Sequence, residues 1–293
     1  MNKRIYFAAV AAIAIMFSMK SAIACDEQGI TGIMPENDMR ISVFARTGVN
    51  SMDEKNFNAL IDRVTAVYQP IVGQKGGILR VNRLWKNDTV NASANRNGKY
   101  WELNMYGGLA RHQAVTDDGF MLVVCHELGH HIGGAPKYGF GDWASNEGQA
   151  DYFGTMKCMR RVLQNDPNIR IMSNRAVDPI AKAACDQIHR DDHERALCAR
   201  IAMAGKSLAD LFASFGAKQG AFNTPDPSVV NQTNDNHPKP QCRLDTYFQG
   251  TLCTRSIQDD VSETDARRGV CTRADGFKAG LRPLCWYKPG AGE

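Results

Sequence analysis

The strongest constraint on the fold of this chain is an apolar stretch, Phe120–Val124, that leads into a cluster of histidines and glycines. Thr116 and the two aspartates after it are residue types that begin helices, and Gly133-Gly134 is a typical helix end. Because the residues before the histidine cluster are almost wholly apolar, the sequence predicts a buried helix. The polar residues in the second half of this helix are therefore held by a packed core.

Three of those polar residues are spaced for metal chemistry. His126 and His130 are four apart, which separates them by about 40° around a helix, so both imidazoles can bind one metal ion. Glu127 lies about 100° away, where its carboxylate can accept a proton from zinc-bound water without ligating the metal. The pattern therefore predicts zinc (Zn2+) as the cofactor. Such a short motif also arises by chance, so it needs support elsewhere in the chain.

A second predicted helix, at 146–153, supplies two carboxylates on one face, because Glu147 and Asp151 are four residues apart. Glu147 is the candidate third zinc ligand. Asp151 can then hydrogen-bond the distal nitrogen of a ligand histidine and fix the orientation of its ring. A solvent-exposed acidic face is the alternative interpretation of this pair, and Asp142 is a weaker alternative ligand.

Two other classes of zinc hydrolase do not fit the sequence. A metzincin needs a third histidine six residues after His130, and that position is Pro136. A peptide deformylase takes a cysteine ligand from another segment, but Cys125 is adjacent to His126 on the same helix and cannot reach the same ion.

The order of the two motifs resembles the zinc peptidases of the HtpX and CAAX prenyl-protease type and their periplasmic relatives, in which HExxH is followed by ExxxD. Those families also carry HPxxxxR, and this chain has His237-Pro238 followed by Arg243. By this resemblance, His237 is a catalytic donor to the transition state and Arg243 supports the ligand carboxylates. The resemblance covers roughly 118–243, by motifs. The chain departs from it in its many cysteines, in having no predicted membrane helices, and in Gly148, which interrupts the second helix.

The resemblance implies a gluzincin-type metallopeptidase with an α+β fold, in which a small mixed or antiparallel sheet accompanies the HExxH helix of a zincin-like catalytic domain. We expect a signal peptide at 1–24 and the catalytic domain at 25–216. A loop and a helical, disulfide-linked C-terminal extension at 217–293 are expected to pack on that domain. The loop is rich in Gly, Asn and Pro and is expected to deliver His237 to the site.

Hydrophobic periodicity predicts the remaining elements. We expect a strand at 39–44, a helix from a capping box at 51–54 to Pro70, strands at 78–85 and 90–95, and helices between 178 and 215 and from Leu244 to Leu252. A strand at 99–106 is expected to bury alternate residues beginning with Trp101. It is interpreted either as the edge of a peptide-binding cleft or as an ordinary sheet strand.

The N-terminus has the order of a secretory signal, with basic residues at 3–4, an apolar run from Ile5 to about Phe17, and small residues before a cleavage expected after Ala24. Lipidation of Cys25 is the minority alternative. No later apolar run is long enough for a membrane span, so the mature chain is expected in the periplasm or secreted. The small net charge of +4 before cleavage gives no argument for nucleic-acid binding.

Nine cysteines in an exported chain predict structural disulfides. An odd number leaves at least one unpaired, and Cys125 is the expected free thiol, because a buried helical cysteine commonly serves as a small hydrophobe. The other eight are expected to form four bridges whose pairing stays open. Cys242 and Cys253 are about 16 Å apart if both lie on one helix, so they must bridge to other segments.

These observations predict an exported zinc endopeptidase that acts on protein or peptide substrates. His126, His130 and Glu147 would hold the metal, while Glu127 would activate the attacking water and later protonate the leaving amine. Two alternatives stay open. One is a non-catalytic, zinc-stapled periplasmic binding or assembly factor, and the other is a hydrolase of peptidoglycan cross-links.

Overall fold

The computed structural model describes residues 22–23, 32–35, 37–139, 143–290 and 293. Apart from 22–23, the predicted signal peptide lies outside the described residues, as do Cys25 and Asp142. Signal cleavage, lipidation of Cys25 and zinc ligation by Asp142 therefore stay predictions.

The described chain is an α+β fold that combines several helices with one small sheet, as the sequence predicts. The sheet packs against the first long helix and against the helix that carries the histidines. In chain order the elements are β1 (Ala22–Ile23), α1 (Glu54–Gln74), β2 (Ile78–Leu84), β3 (Ala92–Asn97), β4 (Tyr100–Tyr106), α2 (Gly107–Arg111), α3 (Asp117–Ile132), α4 (Glu147–Phe153), a π-helical segment (Gly154–Met159), α5 (Arg160–Leu163), α6 (Asn168–Met172), α7 (Pro179–Ile188), α8 (Asp192–Ala213) and α9 (Pro240–Leu252).

The sheet is mixed, with β4 in its centre. β4 pairs antiparallel with β3 on one side and parallel with β2 on the other, while the two-residue β1 pairs with the far side of β3. Trp101, Leu103 and Met105 of β4 are buried, as their alternation predicts. Because both sides of β4 are paired, the interpretation of this strand as a cleft edge is wrong. Both β3 and β4 pack on α3.

Two local predictions in the N-terminal part are also wrong. No strand forms at 39–44, where only Arg40 makes an isolated bridge. Phe44 is exposed, so this alternating stretch does not pack as part of the sheet. Helix α1 begins after Asp53, whose side chain accepts from the amide of Asn56, instead of using a capping box from Ser51. It also continues past Pro70, which is exposed, because burial of Val72 against the core outweighs one lost backbone hydrogen bond.

Helix α3 is buried along nearly its whole length, which agrees with its apolar sequence. Thr116 caps it, since its hydroxyl oxygen accepts from the amide of Gly119 at 3.0 Å. The first turn is fixed from outside by Arg200 of α8, whose guanidinium makes a buried ion pair with Asp118 at 2.7 Å. The histidine-bearing end of α3 is therefore positioned by a rigid, close-packed helix.

Four disulfides join distant parts of the chain: Cys125–Cys158, Cys185–Cys198, Cys242–Cys285 and Cys253–Cys271. The prediction that Cys125 is a free thiol is therefore wrong. Its Cα lies 5.6 Å from that of Cys158 on the π-helical segment, which packs directly against α3. The prediction that Cys242 and Cys253 bridge to other segments is confirmed.

The disulfides indicate that the chain folds in an oxidising compartment outside the cytoplasm. Within the described residues, none of the helices combines the length and the apolar character that a membrane crossing would require.

Candidate metal centre

Three nitrogen and oxygen donors converge at the C-terminal end of α3. The Nε2 atoms of His126 and His130 are 3.2 Å apart, and Glu147 places its two carboxylate oxygens 3.3 Å and 3.6 Å from them. Zinc–ligand distances near 2.0–2.1 Å put two ligands of a tetrahedral ion about 3.4 Å apart. The donor spacing therefore fits a tetrahedral metal ion, and all three side chains are at most 1 % exposed.

A close approach of α3 and α4 brings the carboxylate to the histidines. A Cβ atom on Gly129 would lie only 3.0 Å from the backbone of Ala150, so the glycine inside the HExxH motif lets the two helices pack backbone to backbone. Asn146 caps α4 by accepting from the amide of Gln149 at 3.0 Å. Glu147 is consequently the first residue of α4, directly facing the two imidazoles.

Each imidazole is oriented by an acceptor on its other nitrogen. Nδ1 of His126 lies 2.7 Å from a carboxylate oxygen of Asp151, and Nδ1 of His130 lies 2.8 Å from the carbonyl oxygen of Ser145. Nδ1 of His130 thus donates to a carbonyl, and Nδ1 of His126 is in close ion-pair contact with a carboxylate, which leaves Nε2 of each ring directed at the common point between them. Asp151 therefore occupies the position that the sequence predicts for it.

The charges of the centre favour a cation between the donors. Burial lowers the pKa of His126, but Asp151 and Glu147 oppose this more strongly and raise it to about 10. Burial lowers the pKa of His130 to about 4. Burial alone would raise the pKa of Glu147, yet the nearby His237 and His126 hold it well below its usual value.

Arg243 of α9 stabilises the two carboxylates from behind. Its guanidinium makes two 2.8 Å hydrogen bonds to Asp151 and lies 3.7 Å from Glu147. Burial lowers the pKa of this guanidinium, but Asp151 and Glu147 raise it by more than burial lowers it, so the group stays charged. The predicted role of Arg243, support of the carboxylates, agrees with these contacts.

Glu127 is a fully buried carboxylate beside the donors. It can bring an oxygen within 4.8 Å of a nitrogen of each histidine, yet neither of its oxygens has a hydrogen-bond partner of good geometry among the described residues. Burial raises the pKa of Glu127 to about 8, while the charge of His126 lowers it and that of Glu147 raises it. A carboxyl group in this state can exchange a proton near neutral pH.

The loop before α9 brings His237 to the centre, as expected from its composition. Nε2 of His237 lies 3.5 Å from Glu147 and donates a 2.6 Å hydrogen bond to the backbone carbonyl of Gly32. The hydroxyl of Tyr138 donates to Glu147 at 3.1 Å from the other side. His237 therefore covers the donors, with an N–H group that already binds a carbonyl oxygen.

Gly148, the glycine within the second predicted helix, is required by packing. A Cβ atom at this position would lie 2.2 Å from the indole ring of Trp286, which is fully buried. The glycine therefore lets the C-terminal segment pack on the first turn of α4, next to Glu147. The Cys242–Cys285 disulfide binds this segment to α9 at residues adjacent to Trp286 and Arg243.

Sequence reasoning missed two contributors to the centre. Tyr138 and the segment 32–34 both lie outside the helices and follow no fixed spacing from the motifs, so only the folded chain brings them to Glu147 and His237. The seven residues that the sequence singles out do come together: His126, Glu127, His130, Glu147, Asp151, His237 and Arg243.

Comparisons with protein-family models, with curated proteins and with solved structures found no match for this chain. The function must therefore be argued from the chemistry of the site itself.

Proposed function

We propose that this chain is a zinc-dependent endopeptidase of the gluzincin type, exported from the cytoplasm. The observation that carries the proposal is the triangle formed by His126 Nε2, His130 Nε2 and Glu147, with the unpartnered carboxylate of Glu127 beside it. A purely structural site would have no need for that buried carboxylate, whose desolvation is unfavourable.

The donor set favours zinc over other common ions. Two imidazoles and one carboxylate are ligands that zinc accepts readily, whereas calcium and magnesium prefer oxygen ligands alone. Three protein donors also leave one tetrahedral position for water or substrate, which distinguishes catalytic zinc sites from structural ones.

The surrounding residues have roles that follow from their contacts. A zinc ion held here would supply the Lewis acid that polarises a peptide carbonyl and an attacking water. Glu127, with its raised pKa, takes the proton from the attacking water and passes it to the leaving amine. His237 donates its N–H to the carbonyl oxygen of the substrate. Asp151 and Arg243 keep the His126 ring in position.

Metal analysis and a cleavage assay test the proposal together. The purified chain should hold about one equivalent of zinc and cleave an unfolded protein, and a chelator should abolish the cleavage. Glu147→Ala should weaken zinc binding by more than about 100-fold, since even outer partners of metal ligands contribute 10–100-fold. Asp192→Ala, on the exposed start of α8, is the matched control and should retain zinc.

Zinc bound equally well by Glu147→Ala would refute the proposed ligand set. A chain that binds zinc but cleaves neither unfolded protein nor the cross-links of purified sacculi would favour the non-catalytic assembly factor. Digestion of sacculi without proteolysis would favour the peptidoglycan hydrolase.

Zinc binding should also release a proton near neutral pH. Because the pKa of His126 is raised to about 10, its Nε2 is protonated at pH 7 and must lose that proton before it ligates zinc. Zinc affinity should therefore rise about tenfold per pH unit between pH 6 and 8. Calorimetric titration in two buffers of different ionisation enthalpy counts the released protons.

Asp151→Asn is the comparison variant for this measurement, because it removes the carboxylate that raises the pKa of His126. It should release fewer protons per zinc ion. A zinc affinity that does not change over this pH range would show that His126 is neutral before the metal binds.

A further inference from the structure

A short piece of the N-terminal part of the chain covers the candidate metal centre. The carbonyl oxygen of Gly32 accepts from His237 Nε2 at 2.6 Å, and that of Ile33 accepts from Arg243 Nη1 at 2.5 Å. Ile33 and Met34 are at most 1 % exposed. Two side chains of the proposed catalytic site thus bind consecutive backbone carbonyls of the chain itself.

The same segment joins the sheet at the start of β3. The amide of Ile33 donates to the carbonyl of Ala92 at 3.1 Å. The side-chain amide of Asn91 accepts from the Met34 amide at 3.0 Å and donates to the Met34 carbonyl at 3.2 Å. The bond from Ile33 to Ala92 is of the main-chain kind that an extended peptide makes when it adds to the edge of a sheet, and the Asn91 side chain supplies the other two bonds.

The segment fits closely enough to require glycine at position 32. Gly32 has φ of 85°, and a Cβ atom there would lie 1.7 Å from the carbonyl oxygen of Ala92. The segment is therefore wedged between the backbone of β3 and the side chains of His237 and Arg243.

Beside the segment lies a mainly apolar cavity of about 200 Å³. Its walls include Met34 of the segment and the adjacent Pro35, Phe212 at the end of α8, Phe215 just after it, and His237. A peptide that followed the path of the segment could place an apolar side chain in this cavity.

We infer that Gly32–Met34 occupies the peptide-binding track of the site as an internal, substrate-like plug, and that an extended peptide enters only when this segment leaves β3. The inference rests on the proposed function, because only a peptidase has a substrate to exclude. The contacts of the segment carry the argument, since its two carbonyls are bound by His237 and Arg243, while its amide pairs with β3.

Gly32→Ala tests this inference in the full chain. The added methyl group clashes with the backbone of Ala92 and should expel the segment without altering any side chain of the site. Gly76→Ala is the matched control, because Gly76 has nearly the same φ, 83°, and its Cβ atom would meet nothing within 4 Å. Both variants carry the same backbone strain, and only the first carries the clash.

Two rates are measured on the zinc-loaded proteins: extraction of zinc by a chromogenic chelator and cleavage of an unfolded protein. Both should rise by about tenfold or more in Gly32→Ala, because the open fraction of the site increases, and should keep wild-type values in Gly76→Ala. Equal rates in the two variants would overturn the inference. Faster zinc extraction with no cleavage by any variant would keep the plug and refute the peptidase. Cleavage by the wild type at the rate of Gly32→Ala would keep the peptidase and refute the plug.

A second measurement uses the wild-type chain and covers the case in which Gly32→Ala does not fold. Saturation with a peptide hydroxamate, which binds zinc and mimics an extended substrate, should speed hydrogen exchange at the amides of Ile33 and Met34. The amide of Leu103, in the central strand β4, should keep its protection. A hydroxamate complex in which Ile33 and Met34 stay protected would overturn the inference.

Discussion

Glu127→Gln should lower the rate of peptide cleavage by about 10²–10⁴-fold, the usual contribution of a general base. Zinc content and fold should be preserved, because glutamine has nearly the same shape and Glu127 has no hydrogen-bond partner of good geometry in the described chain. Since the variant also removes a buried carboxyl group, its thermal unfolding temperature should not fall. Cleavage kinetics, metal analysis and thermal unfolding measure the three quantities.

Glu102→Gln is the matched control, since it makes the same isosteric change on β4, on the face of the strand opposite to Trp101 and Leu103. It should leave the cleavage rate unchanged. Full cleavage activity in Glu127→Gln would refute the proposed role of Glu127 as the general base. If the biological activity of the protein also persisted in that variant, the zinc-stapled assembly factor would be the better interpretation.

Arg243→Met should destabilise the zinc-free protein by about 3–5 kcal/mol, the usual result of leaving a buried charge without its partner. The variant keeps an apolar side chain in the core, but it removes both hydrogen bonds to Asp151 and the positive charge near Glu147. Zinc supplies positive charge at the same place, so the loss should be smaller in the zinc-loaded protein. Urea unfolding with and without zinc measures both values.

Arg80→Met is the comparison for this experiment, because the Arg80 side chain is 48 % exposed and its partner Glu102 also accepts a hydrogen bond from Asn95 at 2.9 Å. Removal of this largely exposed guanidinium should change the stability by less than about 1 kcal/mol. Equal effects of the two variants would mean that Arg243 does not compensate a buried charge. An equal loss with and without zinc would argue against a metal ion beside Glu147.

Local rules predicted much of the candidate centre. The four-residue spacing on α3 and α4 places His126 with His130, and Glu147 with Asp151, on shared helix faces, and that spacing is independent of the rest of the fold. Capping by Thr116 and termination at Gly133 likewise depend only on nearby residues. His237 and Arg243 were predicted through resemblance, because no spacing rule connects α9 with α3.

Two of the wrong predictions, the free thiol at Cys125 and the cleft edge at β4, concern contacts between distant parts of the chain. An apolar environment around Cys125 suits a free thiol and a disulfide equally well, and only the packing of the π-helical segment on α3 decides between them. The alternation along β4 indicates one buried face but carries no information about strand order, so it could not show that both edges are paired. The contacts of Gly32–Met34 with His237 and Arg243 were missed for the same reason, because no sequence pattern connects this segment with residues so far along the chain.

The contact between Gly148 and Trp286 links two positions far apart in the sequence that any related chain would have to change together. A side chain at 148 would need a smaller residue at 286, and the indole ring at 286 requires glycine at 148. Such coupled positions leave a trace of co-variation during evolution. Because HExxH alone is short enough to arise by chance, this glycine and tryptophan pair adds an independent criterion by which relatives of this chain can be recognised.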